Sequence, residues 1–170
     1  VLSRSQRIFV ERIDIKGNTT TLDRVVRRQF DSVEGDPFNP REIRQSAERI
    51  RALGYFETAE VNAREGSSPE QVVLDVDVVE KPTGSLNFGA SFSNNDGPGV
   101  AISFAEQNFL GRGQTLNLNV STASEARRYG LRFVEPSLLG RDVAFALELD
   151  YSETNSSFST YDNTRLKFQP

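Results

Sequence analysis

Glu148 and Asp150 stand two residues apart in a run that alternates apolar and polar side chains, and Arg128 and Arg132 occupy a similar run just before them. Paired carboxylates can divide general-acid and general-base work. This pair has no companion. The chain contains no His and no Cys, so the commonest base, metal ligand and thiolate nucleophile are missing. Two acids and two arginines on one polar strand face read instead as a field lining a wet surface, or as cross-strand charge pairs. Gly111-Arg112-Gly113 offers a Gly-x-Gly but lacks the third glycine and the strand-to-helix setting of a dinucleotide-binding turn. A net charge of −4 gives no support for nucleic-acid binding. The expectation is therefore no enzyme, no cofactor and no metal. The remaining chemistry is that of the backbone, presented at strand edges.

The elements that would present those edges fall into two unlike halves. Residues 1–82 hold 13 Lys+Arg and 15 Asp+Glu, whereas residues 83–170 hold 7 and 9, and Phe+Tyr rises from 5 to 11 across the same point. Pro82 and Gly84 suit a short hinge there. Val1 is not a Met, no charged-then-apolar leader follows it, and Gln169-Pro170 comes directly after a strand-like run. Both ends are accordingly expected to be cuts in something longer, with no signal peptide in this stretch. No segment approaches the roughly 18–20 apolar residues of a spanning helix, which leaves a membrane barrel open.

The first half predicts β-α-α-β-β. A strand over 8–16 is followed by a Gly17-Asn18 turn. Thr20 with Asp23 suggests a capping box, and Leu22, Val25, Val26 and Phe30 then share one helical face. The second helix has Asn39 as N-cap, Pro40 at its first position and Gly54 at its left-handed end, with Ile43, Ala47, Ile50 and Leu53 as its buried stripe. A strand over about 56–65 and an alternating strand over 72–79 follow.

The second half alternates throughout, giving six strands in up-and-down order. The apolar set includes Leu86, Phe88, Phe104, Leu118, Phe133 and Phe145. The segments 93–99, 121–127 and 152–162 read as longer polar loops, and Gly111-Arg112-Gly113 and Gly140-Arg141-Asp142 as tight turns. One apolar face and one wet face suit either a soluble sandwich, whose greasy side meets a second sheet, or an outer-membrane barrel, whose greasy side meets lipid. Strand length, the Asn, Ser and Arg of the wet face, and the alternating loop lengths favour the barrel.

Five runs then carry a resemblance. Ile13-Asp-Ile-Lys-Gly-Asn18, Leu53-Gly-Tyr-Phe-Glu-Thr-Ala-Glu-Val61 and Val76-Asp-Val-Val-Glu-Lys81 are similar in order and spacing to a POTRA (polypeptide-transport-associated) domain. Thr83-Gly-Ser-Leu-Asn-Phe-Gly89 resembles the opening barrel strand of the outer-membrane assembly factors. Asn108-Phe-Leu-Gly-Arg-Gly113 and Glu135-Pro-Ser-Leu-Leu-Gly140 resemble the first two periplasmic turns of that superfamily. Each motif alone is weak, and their shared order gives them force.

The resemblance implies an α+β POTRA module over 1–82 in the periplasm, then at 83–170 the first six antiparallel strands of a transmembrane β-barrel, 16-stranded when complete. It implies a Gram-negative outer membrane as location. Implied partners are unfolded outer-membrane protein clients, accessory lipoproteins of the BamD type, and outer-membrane lipid. Client strands would pair at a lateral gate on the first strand, at Gly84, Ser85, Leu86, Asn87, Phe88, Gly89 and Ala90, within an edge spanning 84–92. Gly84 and Gly89 either ease opening of that strand or fit a curved wall. The POTRA strand carrying Thr58, Ala59, Glu60, Val61 and Asn62 either takes an extended peptide or is an edge kept soluble by its charges. Arg24, Arg27, Arg28 and Glu34 either dock a lipoprotein or form a solvated face. A translocation pore of the TamA or two-partner secretion type, an organellar import channel and a soluble β-sandwich binding protein remain as rivals.

Overall fold

The computed structural model describes residues 7–141, 143–156 and 159–169. It divides the chain into two compact units, Val1–Pro82 and Thr83–Pro170.

The first unit has the order β1 (Phe9–Lys16), α1 (Asp23–Arg27), α2 (Pro40–Ala52), β2 (Phe56–Glu65) and β3 (Gln71–Glu80). Its sheet runs β1-β3-β2, with β1 parallel and β2 antiparallel to the central β3. The alternation of β3 puts Leu74, Val76 and Val78 into a core shared with Val10, Ile13, Val25, Val26, Ile43 and Ile50. Asn39 caps α2 by accepting from the Arg41 N–H at 3.1 Å, and Gly54 takes the left-handed φ of 75° just past its end, both as the sequence indicates. Gly17 has a φ of 89°, and a Cβ there would collide with the Val78 carbonyl oxygen. Only glycine lets the β1 turn pass so close to β3.

The first helix departs from expectation. It stops at Arg27, and the Thr20–Asp23 capping box does not form, because Leu22 is the N-cap residue and its side chain offers no cap. The Thr20 N–H donates instead to Glu80. After Arg27 the chain tightens into i→i−3 bonds, Gln29 N–H to Val26 and Phe30 N–H to Arg27. That tightening swings Phe30 into the core, while Leu22, at the N-cap and outside the helix, is 39% exposed.

The second unit is a single six-stranded meander: β4 (Gly84–Ser93), β5 (Gly97–Phe109), β6 (Gln114–Ala123), β7 (Ala126–Glu135), β8 (Phe145–Ser156) and β9 (Ser159–Gln169). Its register places whole rows of like side chains across all six strands. Leu86, Phe104, Leu118, Leu131, Leu149 and Leu166 form one apolar row. A polar row of Asn87, Ser103, Asn119, Gly130, Asp150 and Arg165 lies one residue along, on the other face. Ten to thirteen residues per strand suit a tilted membrane crossing. The apolar face is open: Phe88 is 72% and Phe92 76% exposed. Among the described residues of this unit no second sheet covers it, as a sandwich would require.

The expected loop asymmetry is wrong. Pairing runs from Ser93 and Gly97 on one hairpin and through Ser156 and Ser159 on another, and only Ser124 and Glu125 separate β6 from β7. Their Ser, Thr and Asn residues keep the backbone ladder after apolar alternation stops, so polarity there does not signal a loop. The longer connection is the one after Glu135, with β8 beginning at Phe145 rather than Val143. Asp142 of the expected Gly140-Arg141-Asp142 turn, and Pro170, lie outside the described residues.

Candidate functional site: strand edges and repeated turns

The expected gate residues Gly84–Ala90 all lie on β4, the margin of the six-stranded sheet. Every residue of β4 pairs with β5, from Gly84 opposite Glu106 to Ser93 opposite Gly97. No described strand pairs with its other side. Gly84 has a reason of its own: a Cβ there would come 2.6 Å from the Glu106 carboxylate. The missing side chain lets Glu106 fold over the strand, where it accepts from the Thr83 hydroxyl and from the Asn108 N–H at 2.9 Å. At Gly89 a Cβ would meet nothing within 4 Å, so no steric demand explains it.

The turn after β5 and the turn after β7 share one construction rather than two separate ones. Glu106-Gln-Asn-Phe-Leu-Gly-Arg112 and Glu135-Pro-Ser-Leu-Leu-Gly-Arg141 align residue for residue. In each, the glutamate accepts the N–H two residues on, Asn108 or Ser137, both at 2.9 Å. Each Gly N–H returns to the carbonyl three back, and each Arg N–H does the same. Each places a leucine at a φ of 54°, Leu110 and Leu139. The repeated Glu-x-polar-apolar-Leu-Gly-Arg string is the signal that marks this likeness in the sequence. Asn108 is buried and its Oδ1 accepts the Gly113 N–H at 2.8 Å, so Gly111-Arg112-Gly113 is a turn element and no nucleotide loop.

On the wet face, Arg132 stands opposite Glu148, and Glu148 opposite Lys167. Asp150 faces Gly130 on one side and Arg165 on the other, while Arg128 faces Ser152. Positive and negative side chains thus alternate across strands, which is favourable pairing. Glu148 and Asp150 sit in separate rows, each opposite a basic side chain of β9, Lys167 and Arg165.

In the first unit β2 is a sheet margin, so Thr58–Asn62 do lie on an edge. The edge is partly occupied, since Arg51 Nε donates to the Ala59 carbonyl at 3.0 Å. Of the expected docking cluster, Arg27 and Glu34 are tied into their own fold. Arg27 pairs with Glu34 at 2.8 Å and donates to the Ile13 carbonyl at 3.1 Å, and Glu34 accepts the Ile13 N–H at 3.3 Å. Arg24 and Arg28 are exposed.

A charge chain crosses the same sheet. Asp75 of β3 takes Lys16 of β1 at 3.0 Å and Arg64 of β2, which also reaches Asp14 at 3.1 Å. The Lys16 hydrogen bond holds the Asp75 carboxyl below the usual carboxylate range, and Asp75 in turn raises Lys16. Glu80 is also held low. Burial pushes its pKa up, but the Thr21 and Thr19 side chains and the Thr21 and Thr20 amides outweigh burial and bring it to about 2.

Comparison with known proteins agrees with this geometry. A family model described as POTRA, surface antigen variable number repeat, matches residues 8–81, and one described as the Omp85 superfamily domain matches residues 108–170. The outer membrane protein assembly factor BamA of Neisseria meningitidis is 29% identical over 94% of this chain, and BamA of Neorickettsia risticii 28% over 89%. The chain spans only 21% and 20% of those relatives. The crystal structure of Haemophilus ducreyi BamA lacking POTRA domains 1–3 superposes with a TM-score of 0.77 at 26% identity, over 95% of this chain and 31% of that one. A POTRA match over 8–81, an Omp85-superfamily match over 108–170, and an unclosed antiparallel sheet like the opening strands of the BamA barrel make this chain similar to the last POTRA domain and first barrel strands of the BamA proteins of the Gram-negative outer membrane.

Proposed function

We propose that this chain works in the assembly of outer-membrane proteins, with β4 as the strand that receives an incoming client and the POTRA domain guiding delivery. The observation that carries the reading is the position of β4: it is zipped to β5 along one side and is, with β9, a margin of the described sheet, and the likeness of Thr83–Gly89 to an opening barrel strand selects β4 of the two. In hydrocarbon an unsatisfied backbone group costs several kcal/mol, so such a margin templates an added strand. No nucleotide hydrolysis is required, because the new backbone bonds supply the driving force.

The test is disulfide trapping in the full-length protein, with single cysteines at 85–92 and a cysteine in a client's terminal strand. Trapping is expected to exceed that from cysteines at 145–151 on β8. Equal yields would sink the gate.

POTRA-guided delivery rests on the β2 margin. Barrel-derived peptides are expected to shift the resonances of 58–62 on titration, more strongly when Arg51→Ala frees the Ala59 carbonyl. Docking of a lipoprotein of the BamD type would use Arg24 and Arg28, the exposed members of the cluster for which no ion pair is described.

A further inference from the structure

We propose that the two repeated turns, 106–112 and 135–141, are a lipid-contact pair in which Leu110 and Leu139 enter the acyl–headgroup boundary and Arg112 and Arg141 meet the phosphates of anionic phospholipid. The inference rests on the membrane placement of the six-stranded sheet.

Both turns lie on one rim, because β5–β6 and β7–β8 reverse at the same end of an up-and-down sheet. Leu110 is 66% and Leu139 91% exposed. Each sits at a φ of 54°, a region that disfavours every side chain with a Cβ and that glycine or asparagine fills readily. A leucine held there twice, in the same frame and facing outward, serves something other than the turn. Strain of this kind is kept where the side chain it presents has a use.

Charge names the occupant. The acids of both turns are engaged within the protein: Glu106, opposite Leu116, accepts from Thr83 and Asn108, and Glu135, opposite Phe145, accepts from Ser137 and from Gln114 Nε2 at 2.6 Å. Among the described residues of the two turns, Arg112 and Arg141 are exposed and neither guanidinium has an ion pair; Asp142, next along the chain, lies outside the described residues. An apolar tip beside such a cation fits the interface of an anionic bilayer. The surface is also continuous with lipid-facing rows, since Leu116, Phe133, Leu147 and Phe168 form the adjacent apolar row.

The experiment places a single added Trp at Leu110, Leu139 or Leu118 of the full-length protein, folded into phosphatidylethanolamine vesicles with and without phosphatidylglycerol. Emission relative to the parent is read with lipids brominated near the carbonyl or deep in the chain. Trp at 110 and 139 is expected to be quenched by shallow bromines, and Trp at 118 by deep ones. Arg112→Gln with Arg141→Gln is expected to cut the preference for brominated phosphatidylglycerol over brominated phosphatidylethanolamine by roughly five-fold at low salt. If Leu139→Trp does not fold, Leu138→Trp reads the same rim without the left-handed backbone. Unquenched turns with a quenched 118 would overturn the proposal and leave the membrane placement standing, with a protein or water as the neighbour. An unquenched 118 as well would overturn both. A lipid preference unchanged by the arginine substitutions would overturn the phosphate contact.

Discussion

Glu80, the last residue of β3, accepts the Thr21 N–H at 2.6 Å and so fastens the turn between β1 and α1 to the end of the sheet. The same carboxylate takes the Thr20 N–H at 2.9 Å and the Thr19 hydroxyl at 2.7 Å. Three consecutive residues are held by one side chain.

The folded pKa of Glu80, about 2 against an ordinary 4.5, gives this contact a pH signature. A depressed carboxyl contributes stability above its unfolded value, and that stability is lost as pH falls from about 4.5 through about 2. Glu80→Gln is expected to lower stability at neutral pH by about 1 kcal/mol and to flatten the acid limb of the unfolding curve in that window. Urea midpoints of the POTRA transition between pH 2 and 7 measure both.

Gly17→Ala is expected to be far more damaging than an ordinary surface change. The φ of 89° costs about 1–2 kcal/mol for any residue with a Cβ, and the added carbon would collide with the Val78 carbonyl oxygen. Loss of the β1–β3 ladder, read by amide exchange at Ile13 and Ile15, is the expected result.

Asn108→Ala removes the side-chain acceptor of the Gly113 N–H from a buried site. A cost of about 1–3 kcal/mol is expected, seen as a lower temperature for the loss of heat-modifiable gel mobility in the full-length protein. Asn108→Asp keeps the acceptor and is expected to retain the turn.

Leu139→Asn relieves left-handed backbone at an exposed position. Folding stability is expected to hold or to rise by up to about 1 kcal/mol, measured by the same gel assay. A larger loss would mean that the contact the leucine makes, with lipid or with protein, outweighs its backbone strain.

Arg24→Glu and Arg27→Glu separate docking from folding. Arg27 holds Glu34 and the Ile13 carbonyl, so its reversal is expected to weaken both the fold and partner co-purification. Arg24 is exposed and has no described ion pair, so Arg24→Glu is expected to reduce co-purification alone. An unchanged yield with Arg24→Glu and Arg28→Glu together would place the lipoprotein elsewhere.

Much of this fold is legible in the residues because its signals are local. Asn39-Pro40 and Gly54 bracket α2, and strict alternation marks β3 and the apolar rows from Leu86 to Leu166. The capping box fails because its test is not local: Thr20 has the right neighbour in sequence, but Glu80, distant along the chain, takes its N–H. β4 is identifiable by resemblance as an opening barrel strand, whereas the reason for Gly84 is the Glu106 carboxylate folding over it, which no spacing rule reveals. The left-handed leucines escape sequence reasoning because leucine is the wrong residue for that backbone. Only the repetition of Glu-x-polar-apolar-Leu-Gly-Arg hints that the two turns are alike.

In the six-stranded sheet, each strand's hydrogen-bonded neighbour is also its neighbour along the chain. Closing each pair therefore needs only a short loop, so the entropic toll of every step stays small and nearly constant. The POTRA sheet differs, because β1 must wait for β3, which emerges after both helices and β2. The two units should thus acquire structure on different clocks, the membrane sheet hairpin by hairpin and the periplasmic domain in one late closure.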